Sequence, residues 1–261
     1  MRIDGESVEE LCRTRGITWH SANEREELAD QLAVKVAHLL QKEVDKEGAA
    51  SLVVSGGSTP APFFKRLALS DISWQKVQVT LADERWVPAD HESSNERLVR
   101  QLLLVDKAAE AQFVPLYYAD KPLKESVSFI DEQLALMHQP FTVVILGMGT
   151  DGHTASLFPD APSDQLAHAM DLKNESLVAV MTPPSVDQQR LTLTRSALLN
   201  SDNRILHISG EDKKQVLRDA ILHSTVSAES DSRTTHYAAG MKPIIGLLAD
   251  HVHRASVFWS A

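Results

Sequence analysis

Apolar residues recur along the chain in two alternating patterns, and each pattern predicts a different element. Positions three or four residues apart predict a long helix that stops at Gly48, and its apolar face consists of Leu28, Leu32, Val36, Leu39, Leu40 and Val44. Other runs are short and almost entirely apolar, such as "SLVV" and "VVIL". Runs of that kind are typical of strands buried on both faces of a parallel sheet.

Further segments follow the same two patterns. Helices are predicted in "SSNERLVRQLLL", "ESVSFIDEQLALM" and "KKQVLRDAIL", and strands in "KVQVTL", "SLVAVM", "RILHIS" and "ASVFWS". The segment "RLTLTRSALL" favours neither clearly. Alternating strands and helices predict an α/β fold, namely a single three-layer domain over residues 1–261 with a mostly parallel sheet covered on both faces.

Local signals refine the ends of these elements. The spacings Ser21–Glu24 and Ser93–Glu96 predict two capping boxes, and Pro60 suits the first turn of the helix that follows "SLVV". The polar stretch 224–235 is expected to be a surface loop.

Four loops with reactive or charged residues each follow a predicted strand: "SGGSTP", "ADERWVP", "GMGTDGHTAS" and "SGEDKK". Ligands of open α/β sheets bind outside the carboxyl ends of the strands. We therefore expect the four loops to share one rim of the sheet and to form the functional site there.

Composition narrows the function. The 261 residues are 43% hydrophobic and 24% charged, and the formal net charge is −10, which argues against a nucleic-acid-binding surface. Local Arg and Lys residues still permit an anionic substrate. Cys12 is the only cysteine, so neither an intramolecular disulfide nor a cysteine metal cluster is expected. No apolar run suits a secretory signal or a membrane span, and the cytoplasm is the simplest compartment.

The glycine loop and the charged loop each have two interpretations. In "SGGSTP", Gly56 and Gly57 permit close backbone approach and Ser58 and Thr59 offer hydroxyls, so the loop is either an anion site at a helix start or a tight turn. The missing Lys excludes a Walker A loop. In "ADERWVP", residues 83–85 form either a surface ion-pair loop, which composition alone favours, or an arginine clamp held by carboxylates.

The loop "GMGTDGHTAS" is the strongest candidate for chemistry. His153 is suited to proton transfer near neutral pH, and Asp151 could orient it. The simpler alternative is a capping Asp beside a structural His. No metal-ligand set accompanies them, so no metal or cofactor is expected. Arg190, Lys213 and Lys214 are either solvated charges or partners of a phosphate.

In this order, "SGGSTP", "LADERWVP", "SSNERLVRQLLL", "LGMGTDGHTASLFP", "RLTLT" and "SGEDKK" resemble the 6-phosphogluconolactonase family, which is related to the glucosamine-6-phosphate deaminases. The resemblance spans roughly residues 51 to 217. It implies a phosphosugar-isomerase-like α/β fold and hydrolysis of 6-phospho-D-glucono-1,5-lactone to 6-phospho-D-gluconate, in the oxidative pentose phosphate pathway.

The resemblance also implies roles for individual residues. His153 would be the general base with Asp151 beside it, and Arg85 would face the sugar or its developing carboxylate. The remaining residues would bind substrate, chiefly its phosphate: Gly56, Gly57, Ser58, Thr59, Asp83, Arg190 and Lys213. The partner is then a small sugar-phosphate lactone, with no nucleic acid or membrane, and the protein is a monomer or a small homo-oligomer.

Two alternatives remain. A deaminase would have a glutamate seven residues after Asp151, where this chain has Phe158. A catalytically silent sugar-phosphate sensor would keep the phosphate loop and lose the base. The presence of His153 favours an enzyme over the sensor, and the absence of the glutamate favours the lactonase over the deaminase. The chain contains no G-x-S-x-G, which argues against a serine acyl-enzyme.

Overall fold

The structure is a computed structural model, and it describes residues 6–224, 242–248 and 254–261. The helices that these residues form are α1 (Val8–Thr14), α2 (Arg25–Glu47), α3 (Ala61–Ala68), α4 (Asn95–Leu102), α5 (Leu123–Ala135), α6 (Ser163–Met170), α7 (Arg195–Leu199), α8 (Glu211–Leu222) and α9 (Pro243–Leu248). The strands are β1 (Thr18–Ala22), β2 (Ala50–Val54), β3 (Val77–Leu81), β4 (Asp83–Arg85), β5 (Gln112–Phe113), β6 (Val143–Leu146), β7 (Val178–Met181), β8 (Arg190–Leu193), β9 (Asn203–Ser209) and β10 (Arg254–Ser260).

Seven strands form the main sheet in the order β1-β10-β9-β6-β2-β3-β5, and every neighbouring pair among them is parallel. All residues of β2 and β6 are buried, as expected for strands covered on both faces. The helix α2 packs on β1, β10, β6 and β2, whereas α8 packs on β9 and against α1 and α9. The predicted α/β class with a mostly parallel sheet is confirmed.

The strand order reverses between β2 and β6. From β2 the chain continues outward through β3 and β5, whereas β6 is followed on its other side by β9 and β10. A crevice forms where the order of a doubly wound sheet reverses, because the loops after the two strands leave in opposite directions. The loops at this point are "SGGSTP" after β2 and "GMGTDGH" after β6.

A second, three-stranded antiparallel sheet was not predicted. Its order is β4-β8-β7, and it contains the loop "ADERWVP" and the segment "RLTLTRSALL", which forms β8 and then α7. Single-sequence patterns identify strands but not their partners, so these short strands could not be separated from the main sheet.

Both predicted capping boxes are wrong, whereas the predicted end of the long helix at Gly48 is confirmed. Ser21 belongs to β1, where it pairs with Trp259, and α2 begins after Glu24 without a side-chain cap. The cap of α4 is Ser94, whose Oγ accepts the Arg97 amide at 3.1 Å. Gly48 ends α2 with φ +83°, a conformation that favours glycine.

Two further observations complete the fold. The predicted loop 224–235 lies outside the described residues except for Ser224. Among the described residues, no helix combines the length and the apolar character needed to cross a bilayer.

Candidate active site

A cavity of about 410 Å³ lies at the carboxyl ends of β2, β6 and β9. Its wall takes residues from all four loops and from β8, which confirms the prediction of one shared rim. The predicted site residues in the wall are Gly56, Gly57, Ser58, Thr59, Asp83, Arg85, His153, Arg190 and Lys213. Asp151 and Lys214 are not in this wall.

The glycine loop is fixed to the neighbouring strand by Ser55. The Oγ of Ser55 donates to the Ile145 carbonyl at 3.1 Å and accepts the Gly147 amide at 3.4 Å. Gly57 has φ +93°, which requires glycine, and a Cβ on Gly56 would lie 1.8 Å from the Asn95 Oδ1. The loop therefore runs against the start of α4 and leads into α3, with backbone amides and hydroxyls at the cavity.

His153 and Asp151 form a hydrogen-bonded pair. The Asp151 Oδ1 accepts both the His153 Nδ1, at 2.6 Å, and the His153 backbone amide, at 3.0 Å. A carboxylate that accepts from Nδ1 favours the tautomer of the neutral imidazole in which Nδ1 carries the proton and Nε2 has the lone pair. Because Asp151 is outside the cavity wall, its contacts support orientation of His153 rather than contact with a ligand.

The shape of the D-G-H loop depends on its glycines and on Phe158. A Cβ on Gly149 would lie 2.3 Å from the His153 ring, and Gly152 has φ +86°. The Phe158 ring stacks on the His153 ring, with centroids 4.2 Å apart and planes at 23°. The position at which a deaminase would have its glutamate is therefore filled by an aromatic ring that holds the imidazole.

Glu84 is a structural carboxylate that sequence reasoning missed. It is 1% exposed, and its two oxygens accept four hydrogen bonds: from the Ser94 hydroxyl (3.0 Å) and the amides of Arg85 (2.7 Å), Asn95 (2.8 Å) and Glu96 (2.7 Å). Desolvation by burial raises its pKa, whereas these hydrogen bonds oppose the rise. Of the two interpretations of "ADERWVP", the surface ion-pair loop is wrong, since Asp83 and Glu84 are both buried.

Asp83 connects three parts of the site. Its Oδ2 accepts the Ser156 hydroxyl at 2.6 Å, and its backbone carbonyl accepts the Asn95 Nδ2 at 2.9 Å. Through these bonds β4 is tied to the loop that carries His153 and to α4. Asn95 and Ser156 had no signal in the sequence beyond their place near the motifs.

Arg85 and Arg190 lie opposite each other in the register of β4 and β8. Both line the cavity, and in each the Nε is buried without a hydrogen-bond partner. The Arg85 Nη1 donates to the Ser93 carbonyl. Burial, and then the charge of Arg85, lowers the pKa of Arg190, with Asp83 and Glu84 opposing. Arg190 is buried and Arg85 is half-buried, and two adjacent guanidinium groups of this kind favour an anionic ligand.

The two lysines of "SGEDKK" lie in different surroundings. Lys213 lines the cavity. The Lys214 Nζ lies 3.8 Å from the centre of the Trp259 ring and pairs with Glu211 at 3.3 Å, so it has a structural position. His207, a residue of "RILHIS", also lines the cavity. Its only sequence signal was a histidine that interrupts an otherwise apolar strand.

The geometry thus combines a glycine loop and three cationic side chains with a histidine that is hydrogen-bonded to Asp151. Among residues 6–224, 242–248 and 254–261, no three His, Cys, Asp or Glu side chains are grouped as metal ligands. What the cavity offers instead is a lone pair at Nε2 of His153, two guanidinium groups, one ammonium group and a glycine loop with its amides.

Comparison with known proteins places the chain in a family. Residues 23–238 match the model of the glucosamine-6-phosphate isomerases/6-phosphogluconolactonase. The chain therefore belongs to the glucosamine-6-phosphate isomerase/6-phosphogluconolactonase family.

Similar relatives lie on the lactonase side of that family. The 6-phosphogluconolactonase of Rhizobium meliloti is 45% identical over 193 residues, which cover 74% of this chain and 82% of that protein. The 6-phosphogluconolactonase of Pseudomonas aeruginosa is 41% identical, with 82% and 90% covered. The crystal structure of a 6-phosphogluconolactonase from Shewanella baltica superposes with a TM-score of 0.83 at 40% identity, covering 94% of this chain and 98% of that one.

Proposed function

We propose that this protein hydrolyses 6-phospho-D-glucono-1,5-lactone to 6-phospho-D-gluconate in the oxidative pentose phosphate pathway. The observation that carries the proposal is the oriented pair of His153 and Asp151 in a cavity lined by cations and a glycine loop. The similarity to named 6-phosphogluconolactonases supports the same reaction. We place the reaction in the cytoplasm.

The glycine loop and the cationic residues would bind the substrate's phosphate. Backbone amides at the start of α3 and the hydroxyls of Ser58 and Thr59 are suited to phosphate oxygens. Lys213 supplies a positive charge near the same wall, and Arg190 adds a second from β8. Burying the Arg190 guanidinium beside the charge of Arg85 is costly, and a dianionic phosphate offsets that cost.

His153 would act as general base. Its Nε2 takes a proton from a water molecule while the water oxygen bonds to C1 of the lactone. The carbonyl oxygen then carries the negative charge of a tetrahedral intermediate. As the intermediate collapses, the bond between C1 and the ring oxygen breaks, and His153 returns the proton to that oxygen. Asp151 stabilises the imidazolium between the two transfers.

Arg85 is the preferred group for stabilising the oxyanion. The amides of Gly147 and Gly149 already donate to the Ser55 Oγ and to the His153 carbonyl, at 3.4 and 2.9 Å. A guanidinium at the cavity wall has further N–H groups to give, and such donors act strongly where water is excluded. Asp83 would keep this wall in register through its bond to Ser156.

The deaminase alternative is less well supported. Phe158 stacks on His153 in place of an acidic side chain, so the acid that the deaminase reaction needs at that position is missing. The silent-sensor alternative requires that the base be lost, whereas His153 is present and oriented.

The first experiment is a turnover assay with freshly generated 6-phosphogluconolactone, coupled to detection of 6-phosphogluconate and corrected for spontaneous hydrolysis. We expect wild-type protein to accelerate hydrolysis, and His153→Ala to lower kcat by about 10²–10⁴-fold, the usual contribution of a general base. His38→Ala, which removes an exposed histidine of α2 outside the cavity wall, is the matched control. A His153→Ala kcat near the wild-type value excludes the base role, and no acceleration by wild-type protein excludes the reaction.

The phosphate assignment has its own test. Lys213→Ala and Arg190→Ala should raise KM for the phosphorylated lactone far more than for plain gluconolactone, because each removes a cation from the phosphate end. Lys214→Ala, which removes the neighbouring lysine on Trp259, serves as the control. Equal losses on both substrates contradict a phosphate role.

A further inference from the structure

His207 is a cavity residue to which the mechanism above gives no role. It lies on β9, two positions before the end of the strand, and is 5% exposed. Its ring meets the Phe63 ring edge-on, with centroids 6.1 Å apart and planes at 81°. Phe63 belongs to α3, the helix that follows the glycine loop. The imidazole therefore lies between the end of β9 and the helix that begins at the glycine loop.

The side chain is incompletely satisfied by the protein. The His207 Nδ1 is buried and has no hydrogen-bond partner among the described residues. Buried polar atoms without a partner are rare in folded proteins, and each calls for an explanation, such as a ligand or a bound water. Because Nδ1 is closed off from solvent, the nitrogen that a molecule in the cavity can reach is Nε2, which has no hydrogen-bond partner among the described residues either.

The ring is neutral at neutral pH. Burial, followed by the positive charge of Lys213, lowers the pKa of His207 from 6.5 to about 4. A neutral imidazole has one N–H donor and one lone pair, so it can donate a hydrogen bond without adding a further charge to a wall that already contains Arg85, Arg190 and Lys213. Proximity to Lys213 and to α3 places it at the phosphate end rather than at the reacting carbonyl.

We propose that His207 is a substrate-binding residue that donates an imidazole N–H to an oxygen of the substrate's phosphate. This inference rests on the proposed function for the identity of the substrate. An uncharged donor suits this position, because the product carries an additional carboxylate. A fourth cation in the wall would hold that more negative product more tightly.

Steady-state kinetics of His207→Phe test the contact. Phenylalanine keeps an aromatic ring against Phe63 and removes both nitrogens. We expect KM for the phosphorylated lactone to rise about 10- to 100-fold, the effect of losing one hydrogen bond to a charged group, with little change for gluconolactone. His207→Gln, which retains an N–H donor, should recover part of the loss.

The control is His20→Phe. His20 also contacts a phenylalanine ring, that of Phe258, with centroids 4.3 Å apart, but it lies on β1 outside the cavity wall. The His20→Phe variant should leave both KM values unchanged. If His207→Phe changes neither KM, or raises both equally, the proposal is overturned.

A measurement on wild-type protein keeps the test independent of folding and of turnover. Nitrogen-resolved NMR of the histidine rings, with His207 assigned from the Gln variant, follows titration with inorganic phosphate and then with 6-phosphogluconate. A shift of the His207 ring signals with both ligands supports the contact. If the Lys213 side chain responds to the ligands and the His207 signals do not move, a bound water satisfies the ring and the proposal is overturned. If wild-type protein binds phosphate in this way but hydrolyses no lactone, the proposed function fails and the His207 contact stands.

Discussion

Replacing Glu84 with glutamine should destabilise the protein and weaken the site at once. In the wild type, the Oε1 of Glu84 accepts the amides of Arg85 and Asn95, while Oε2 accepts the Ser94 hydroxyl and the Glu96 amide. Glutamine has one acceptor oxygen, and its NH₂ group must face donors on the other side. The least costly arrangement places NH₂ at the Oε2 position, because the Ser94 hydroxyl can rotate and the Glu96 amide alone loses its acceptor.

The size of the destabilisation follows from two losses, namely the acceptor of the Glu96 amide and the negative charge at the start of α4. One buried N–H without an acceptor costs about 1–3 kcal/mol. Removing a negative charge from the start of α4 costs a further ~0.3–2 kcal/mol through the helix dipole. The free energy of unfolding should therefore fall by about 1–5 kcal/mol, against a total of about 5–15 kcal/mol for a typical domain. Because Glu84 also bonds the Arg85 amide, kcat should fall as well.

The assay is urea unfolding at neutral pH, with kcat measured on the folded variant. Glu92→Gln is the matched control, since Glu92 is exposed in the connection between β4 and α4 and the substitution changes the charge equally. A free energy of unfolding for Glu84→Gln equal to that of Glu92→Gln would refute the reasoning, because it would mean that the four hydrogen bonds contribute nothing net.

Two further predictions concern the cavity wall. Gly56→Ala should lower both thermal stability and activity on the phosphorylated lactone, because its Cβ would lie 1.8 Å from the Asn95 Oδ1. Thermal unfolding is the assay, and Gly147→Ala, whose Cβ would meet nothing within 4 Å, should keep wild-type stability in it. Burial lowers the pKa of His207 to about 4 from 6.5, so the folded state binds fewer protons than the unfolded state between these values. The free energy of unfolding should rise with pH across that window, and His207→Phe should flatten the rise when the two proteins are compared by urea unfolding from pH 4 to 7; parallel pH profiles would contradict it.

The sequence predicted those features that depend on local pattern. Short, mostly apolar runs identified β2 and β6 as buried parallel strands, and the glycine and D-G-H motifs identified the loops after them. The rule that ligands lie at the carboxyl ends of strands then brought these loops together. The single-domain interpretation of residues 1–261 and the roles of the individual site residues remain predictions.

What the sequence did not reveal depends on long-range contacts. Glu84 looked like a surface charge because its four partners are either its own neighbour or ten to twelve residues away in α4. The separate sheet of β4, β7 and β8 required pairing across more than 100 residues, as between Arg85 and Arg190. His207 resembled an ordinary core histidine, since burial and a missing partner are visible only in the folded chain.

The place of β1 at the edge of the main sheet has a consequence for how the protein is made. Its neighbour in the sheet is β10, with Thr18 opposite Ser256 and Ala22 opposite Ser260. During synthesis from the N-terminus, residues 18–22 therefore have no partner strand until residues 254–260 have been made. Contacts this distant in sequence form slowly, and an unpaired strand edge is open to aggregation in the meantime. A chain released from the ribosome before residue 254 would lack β10, and β1 would then have no strand to pair with.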